Sequence, residues 1–298
     1  MASGTPINRT NIELPNDISA EILQKTQEGS AVMQLARQIP LPGRGVQIPV
    51  IASDPTASWV TETGSKPVST PSLSKKIMQA HKLAVIVPFS DEFRRDLAAL
   101  YNALVSRLPG VLAKTFDATC FFGPSAGSLA NFDNLSAVTN IKLDENVSSP
   151  VYAGLVGADG AIATAGGLMN GIILAPQGKS VMLGALDGDG RPLFNAVTEN
   201  GISRVLGAPT YFATAAYKAG TSGTSGNPDI LGFAGDWSHA LYGVVEGVKI
   251  DVSTEATLVD GTNTINLFQQ NMFAVRAEIE VGFVAETSYF VSLGRTHA

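Results

Sequence analysis

The sequence has one cysteine, Cys120, among 298 residues. It can therefore form no internal disulfide and no thiolate metal cluster. Charge is scarce as well: Asp, Glu, Lys and Arg make up 15% of the chain, well under the usual quarter. A water-exposed chain this poor in charge is expected to hide much of its surface in an assembly. The three histidines, His81, His239 and His297, are too scattered to read as a ligand set, and each is expected to be an ordinary surface or core residue. No run of eighteen apolar residues occurs. The most apolar region, near Leu155 to Leu174, is broken by Asp159 and Asn170, which argues against a membrane-spanning helix. The first residues, MASGTPINRTN, lack the apolar stretch of a signal peptide, so the chain is expected to be made and kept in a cytoplasm until assembly. Lys and Arg number 20 against 26 Asp and Glu, a net charge of −6. That balance argues against tight binding of nucleic acid, which needs a dense cationic face.

What is present is a 45% apolar chain, enough for one large core or two ordinary ones. Its longest pattern is Phe89 to Thr119, where Phe93, Leu97, Leu100, Leu104, Leu108, Val111 and Phe116 recur at gaps of three to five. That spacing predicts one amphipathic helix. Ser90 is placed to cap it, with Asp91 and Glu92 in the first turn, where the helix dipole favours negative charge. Roughly 28 residues at ~1.5 Å each make a rod of about 42 Å. Pro109, next to Gly110, removes a backbone donor and should kink the rod or split it in two. A second long pattern, Phe273 to Phe283, alternates Phe273, Val275, Ala277, Ile279, Val281 and Phe283 with Arg276, Glu278 and Glu280. Period two predicts a strand, about 40 Å long with its flanks at ~3.3 Å per residue. Helix and strand match in length and are expected to lie apolar face to apolar face.

Ahead of the helix, residues 1–38 have little to bury alone and read as an arm that needs a partner, with a short helix within Asp17 to Arg37. Val46 to Ile51 is a short extended piece. Ala57 to His81 reads as a polar hairpin: Trp59, Val60 and Thr61 ascend, Gly64 to Pro71 turns, and Leu73 to Lys82 returns. A lone two-stranded hairpin is marginal in water, so this one should rest on something else. Leu83 to Val87 is a buried strand feeding the helix. After a glycine-rich exit at Phe121 to Phe132, the middle third reads as a separate α+β lobe. It has a helix at Val151 to Ala165, a strand at Gly171 to Ala175 and a helix at Gln177 to Leu186. A turn at Asp187 to Pro192 follows, then strands within Ser203 to Ala213 and Leu231 to Val252 and a loop at Gly220 to Pro228. The lobe is expected to be an insertion between the long helix and the long strand.

Chemistry is sparse. Gly123-Pro124-Ser125-Ala126-Gly127 fits the G-x-S-x-G nucleophile elbow, but the elbow needs a strand before the serine and a helix after it; here a helix precedes and a turn-rich segment follows. Asp187-Gly188-Asp189-Gly190 resembles the start of a calcium loop, yet Arg191 and Thr198 stand where further ligands are needed. Cys120, among Phe116, Phe121 and Phe122, reads as a small core residue. Lys75, Lys76 and Lys82 suit a solvated hairpin face or an intersubunit salt bridge. Arg94, Arg95 and Asp96 near the helix start could set contact polarity beside another copy.

The order of arm, polar hairpin, long helix, inserted lobe and long terminal strand resembles the major capsid protein of tailed bacteriophages, the Hong Kong 97-type fold. Several segments carry the resemblance: Trp59-Val60-Thr61-Glu62; Lys82 to Val87 followed by Phe89-Ser90-Asp91-Glu92; and Phe122-Gly123 followed by Ser125 to Leu129. So do Gly171 to Pro176, Asp187 to Leu193 and Asn271 to Ala277. It covers nearly the whole chain. It implies an α+β fold with an N-terminal arm and entry to the peripheral domain (1–52), an E-loop (53–86) and a peripheral domain with a spine helix (87–132). An inserted axial domain (133–265) and a closing peripheral strand (266–298) complete it. It implies copies meeting as pentamers and hexamers in an icosahedral shell around double-stranded DNA, with no sequence-specific DNA contact and no membrane. Portal and scaffold proteins are implied partners, with decoration proteins an open option. Some relatives carry an N-terminal scaffolding segment; none is expected ahead of this arm, so a separate scaffold or an already mature form is expected. Expected intersubunit contacts are Trp59, Glu62, Lys66, Lys75 and Lys76 of the hairpin and Arg94 and Arg95 of the helix start. No catalytic, cofactor or metal residue is expected. Other readings stay open: a protein-cargo nanocompartment shell of the same fold, a serine hydrolase using Ser125, and a monomeric binding module.

Overall fold

Alternation of apolar and charged residues builds the centre of the molecule. The computed structural model describes residues 29–53, 55–62, 65–70, 72–92, 104–125, 127–143, 150–187, 189–194, 204–221, 227–260 and 263–297. In chain order its elements are α1 (Ala31–Leu35), β1 (Arg37–Pro40), β2 (Val46–Ser53), β3 (Ser72–Met78), β4 (His81–Ser90), α2 (Leu108–Phe122) and β5 (Thr139–Lys142). Then come α3 (Pro150–Thr164), β6 (Gly171–Leu174), α4 (Pro176–Leu183), β7 (Arg204–Val205), β8 (Ala208–Phe212) and β9 (Asp229–Gly235). The last are β10 (Ala240–Ser253), β11 (Thr257–Asp260), β12 (Asn263–Asn266), β13 (Met272–Ala285) and β14 (Phe290–Arg295).

β13 sits inside a four-stranded sheet of order β1-β10-β13-β4. Its pairing with β4 sets Val275 opposite Val87, Ala277 opposite Val85 and Ile279 opposite Leu83. These side chains share one face, because successive residues of a strand point to opposite sides. The other face carries Lys82 opposite Glu280 and Ile86 opposite Arg276, with Arg276 also paired to Asp251 at 2.6 Å. α2 covers the apolar face: Phe116 meets Phe283 and Phe132 edge-on, and Leu112, Phe116, Cys120 and Phe121 are buried. The expected side-by-side packing of helix and strand is therefore observed.

The second sheet has six strands in the order β5-β14-β9-β6-β8-β7. One face buries Leu155, Ala158 and Ile162 of α3 and Met182 of α4. The other presents Ile173, Phe233 and Phe290 to the same core that holds α2; Phe121 stacks on Phe233 with centroids 4.8 Å apart. Trp237 closes this junction, donating from its indole to the Gly171 carbonyl at 3.0 Å. A Cβ on Gly171 would lie 2.7 Å from the Trp237 ring and 2.8 Å from Leu35, so that site excludes any larger residue.

Three expectations need correction, while the split expected near Pro109 is observed: Leu104 and Val105 are helical, Ser106 and Arg107 turn, and α2 starts at Leu108 with Pro109 in its first turn. Proline there removes a donor that has no helical acceptor anyway, so the break falls just ahead of it. Of the expected stripe, Leu104 and Val111 are exposed while Leu108 and Phe116 are buried, with Leu112 also turned inward; Phe93, Leu97 and Leu100 lie outside the described residues. The hairpin is built from β2 and β3, with Val46 opposite Met78 and Ile51 opposite Leu73, and Trp59 to Thr61 form no strand. The end of the arm folds onto its own chain: Ser30, Ala31, Val32 and Met33 are buried, and β1 pairs in parallel with β10. Residues 1–28 lie outside the described set. In the sheets, β10 belongs with β13 while β14 joins the six-stranded sheet. The chain thus crosses between sheets again at β9–β10 and at β13–β14.

Candidate assembly surfaces

The hairpin is fixed at its base and bare at its tip. In β3, Met78 turns inward against Leu41 and Val284, while Lys75 and Ile77 face water. Lys76 shares the inward side. Its ammonium donates to the Ala285 carbonyl at 2.7 Å and pairs with Asp133 at 3.2 Å and Glu286 at 3.4 Å. Just past β3, the Gln79 N–H donates to the Asn131 carbonyl, and the His81 ring lies 2.8 Å from the Ala130 carbonyl. Farther out, the Thr56 N–H donates to the Ser69 hydroxyl at 2.9 Å. Beyond that tie Trp59 is as exposed as in an isolated peptide, and Val68 is 92% exposed.

Of the expected contact residues, Trp59, Glu62, Lys66 and Lys75 are therefore exposed on the tip and the outer side of the hairpin. Lys76 is the exception: its charge is held by its own chain. Arg94 and Arg95 lie outside the described residues. Sequence reasoning missed a second projection, the β11–β12 ribbon, which pairs with no other strand among the described residues. Val259 on it and Phe268 beyond it are both about three-quarters exposed, at 73% and 74%. The Asp260-Gly261 dipeptide is a hairpin-turn signal that marks the ribbon in the sequence.

The six-stranded sheet carries apolar residues at both ends. Over β5 and β14, α3 turns Tyr152 and Val156 outward beside exposed Gly157 and Gly160. At the opposite end, around α4 and the β7–β8 edge, Leu183, Leu186, Leu206 and Phe212 are exposed. α3 has one charged residue, Asp159, in fifteen; a helix so nearly apolar all round is typical of a buried position.

The remaining candidates are spent locally. Ser125 is exposed, follows the helix α2 rather than a strand, and is followed by no helix among the described residues before α3; an elbow is not formed. The Asp187 carboxylate accepts from the backbone N–H groups of Asp189 at 3.0 Å and Arg191 at 2.7 Å, making a closed turn. Among the described residues no group of three or more His, Cys, Asp or Glu could hold a metal ion, and no helix is long and apolar enough to cross a membrane. Asp117, Asp229 and Asp236 are buried, and the first two are shifted in opposite directions. Asp229 accepts from the Gly220 N–H at 2.8 Å, Arg295 at 3.1 Å and His297 at 2.6 Å. The Gly220 bond, followed by those from the tail, holds its carboxyl below the usual range against the cost of burial. Asp117 is the reverse: burial pushes it up to about 6 despite bonds from Ser30, Ala31 and Val32. Cys120 is fully buried, and burial together with the nearby Asp117 pushes its thiol up.

This architecture coincides with a known one. The model of the phage capsid family matches residues 11–291. The chain belongs to the phage capsid family. A probable major capsid protein, gp17 of Mycobacterium phage L5, is 31% identical over 270 residues, covering 85% of this chain and 80% of that protein. A chain solved from Gordonia phage Cozz superposes with a TM-score of 0.74 at 20% identity, covering 90% of this chain and 87% of the other. A chain from the capsid of a native GTA particle gives 0.64 at 14% identity, covering 97% and 93%. The α+β, Hong Kong 97-type capsid fold is thus the fold of this chain. Family membership also gives the exposed hairpin, ribbon and lobe ends a context: a viral capsid, built from a structural protein.

Proposed function

We propose that this chain is the structural unit of a tailed-phage head. Copies meet as pentamers and hexamers, close into an icosahedral shell around double-stranded DNA, and turn over no substrate. The observation that carries this reading is the hairpin, stitched to its own subunit at the base yet presenting a bare Trp59 at its end. A tryptophan buries roughly 150–250 Å² when covered, worth about 4–6 kcal/mol before the costs of association. An adjacent copy is the surface that can supply the cover, so the hairpin serves as the E-loop.

The lobe supports the same reading. Its two apolar ends, around Tyr152 and Val156 and around Leu183 and Phe212, are different surfaces on opposite edges of one sheet. Joining unlike surfaces head to tail generates a ring when the rotation closes, as five- or sixfold lobe contacts require. The net charge of −6 suits a container that does not grip its cargo, with repulsion screened beyond about 10 Å at 0.1 M salt. In this reading the protein is made and assembled in the host bacterial cytoplasm, beside portal and scaffold proteins, and ends in the virion.

Electron microscopy of the expressed protein, with analysis of the contents, is the test. The reading expects wild-type particles with closed shells, and a Trp59→Ser variant that folds but stays as free subunits or lone capsomers. A wild type that remains monomeric under assembly conditions, or particles filled with a specific protein cargo in place of DNA, would overturn it.

A further inference from the structure

The arm root fixes where the rest of the arm begins and which way it heads. Ser30 and Asp117 are buried. The Asp117 carboxylate, midway along α2, accepts from the Ser30 hydroxyl at 2.5 Å and the Ala31 N–H at 2.9 Å. Just before this clasp Gly29 is helical, and a Cβ placed on it would lie 3.6 Å from the Ala113 Cβ, an ordinary van der Waals contact. From Ala31 back to Gly29 the chain thus moves down α2 from Asp117 to Ala113, about one turn. A chain leading into Gly29 on this heading runs parallel to α2.

α2 presents an open row along that path. Gly110, close to one turn before Ala113, is exposed, and a Cβ there would meet nothing within 4 Å. Beside the row stand two exposed cations, Arg107 and Lys114. Arg107 keeps right-handed helical dihedrals, φ −87° and ψ −17°, so the two cations lie about 10.5 Å apart along one side. The one acid of α2, Asp117, is buried. Residues 17–28 carry the complement in sequence: three acids, Asp17, Glu21 and Glu28, against Lys25. At helical spacing Ile18, Ile22 and Gly29 share one face, and Glu21 and Glu28 flank it. When parallel helices face each other, the residue before a contact position on one lies on the same side as the residue after the contact position on the other, as with the flanking charges of a parallel coiled coil. Glu28 precedes Gly29 and Lys114 follows Ala113. Glu21 and Arg107 stand the same two turns back on their respective segments.

We propose that residues 17–28 dock as a helix parallel to α2 of their own subunit, with Ile18 and Ile22 toward the Gly110 row and Glu21 and Glu28 paired with Arg107 and Lys114. The row on α2 is then a docking surface for the chain's own arm, and the part of the arm left to reach other molecules is residues 1–16. Exposed ion pairs are individually weak. The bonds at Ser30 hold the segment beside its surface, and such a tether raises the effective concentration to the order of millimolar. Contacts too weak to capture a separate copy are therefore sufficient within one chain.

Hydrogen–deuterium exchange of the full-length free subunit, at two concentrations below assembly, tests this. Amides of residues 18–28 should exchange about tenfold or more below their intrinsic rates, equally at both concentrations. Gly110→Phe fills the row where the fold leaves space. It should return those amides close to intrinsic rates while peptides covering Leu155 to Ile162 in α3 stay unchanged. Lys114→Glu should speed exchange of the segment about threefold, and adding Glu28→Lys to it should restore the wild-type rate. Wild-type exchange at intrinsic rates overturns the docking and needs no variant to fold. Protection that grows with concentration, which would assign the row to another copy, overturns it as well. So does protection that survives Gly110→Phe, or a double variant that exchanges as fast as Lys114→Glu alone.

Discussion

Two buried aspartates of opposite character show how local surroundings decide what a charge does. Burial pushes the Asp117 carboxyl up against the bonds from Ser30, Ala31 and Val32; Asp229 meets the Gly220 N–H, His297 and Arg295 and is held ionised. Since the folded-state pKa of Asp229 is depressed, its contribution to stability is present above about 3.8 and fades as pH falls through the depressed value. In urea unfolding of the free subunit, Asp229→Asn should therefore lower the midpoint at pH 7, with the gap to wild type closing toward pH 3. A gap of constant size across that range would show that the Asp229 charge has no part in fastening the tail. Neither acid was legible in the sequence. Nothing in the spacing of Ser30 and Asp117, or of Asp229 and His297, announces a contact made only after the sheets have formed. Cys120 was legible, because its aromatic neighbours already described a core.

At the scale of elements, period and punctuation carried most of the information. The alternation of Phe273 to Phe283 fixed both the strand and its buried face, because a half-buried strand must alternate. Pro109 announced the helix break. Val111 was assigned to the buried stripe but stands exposed, while Leu108 and Phe116 of the same stripe are buried. The hairpin was misplaced by one segment: Trp59 to Thr61 has strand propensity, but propensity in a strand largely reflects packing against neighbours, and the tip of a single chain offers none. Val46 to Ser53 found its partner in Ser72 to Met78. The hairpin's base gives an element-scale prediction. Lys76→Met removes the ties to Ala285, Asp133 and Glu286 and should cost about 1 kcal/mol or less of subunit stability, as expected for a half-exposed ion pair. It should also speed amide exchange in Ser72 to Ala80 and leave α3 unchanged. Unaltered exchange in the hairpin would mean that Met78 and its apolar neighbours anchor the base without help from the charge.

For the whole molecule, the layout of exposed apolar surface explains the low charge content noted at the outset. A 298-residue chain with 15% charged residues leaves Trp59, Val68, Val259, Phe268 and the two ends of the lobe uncovered. They are spread over the hairpin, the ribbon and opposite edges of one sheet. Many modest contacts per subunit suffice for a stable shell, because closure lets each copy engage several neighbours at once. The fold's interior was largely readable because burial leaves periodic traces in sequence. Its outer surface was readable only in part, since a residue that meets another copy looks the same as one that meets water until the fold shows where it stands. The arm root is the instructive case: residues that looked as if they awaited a partner are held by their own subunit, whereas the hairpin tip is not. The most direct measurement is a cryo-electron microscopy map of the assembled particle at side-chain resolution. The account predicts Trp59 enclosed by residues of an adjacent copy; Trp59 standing free in solvent, or folded back against its own subunit, would contradict it.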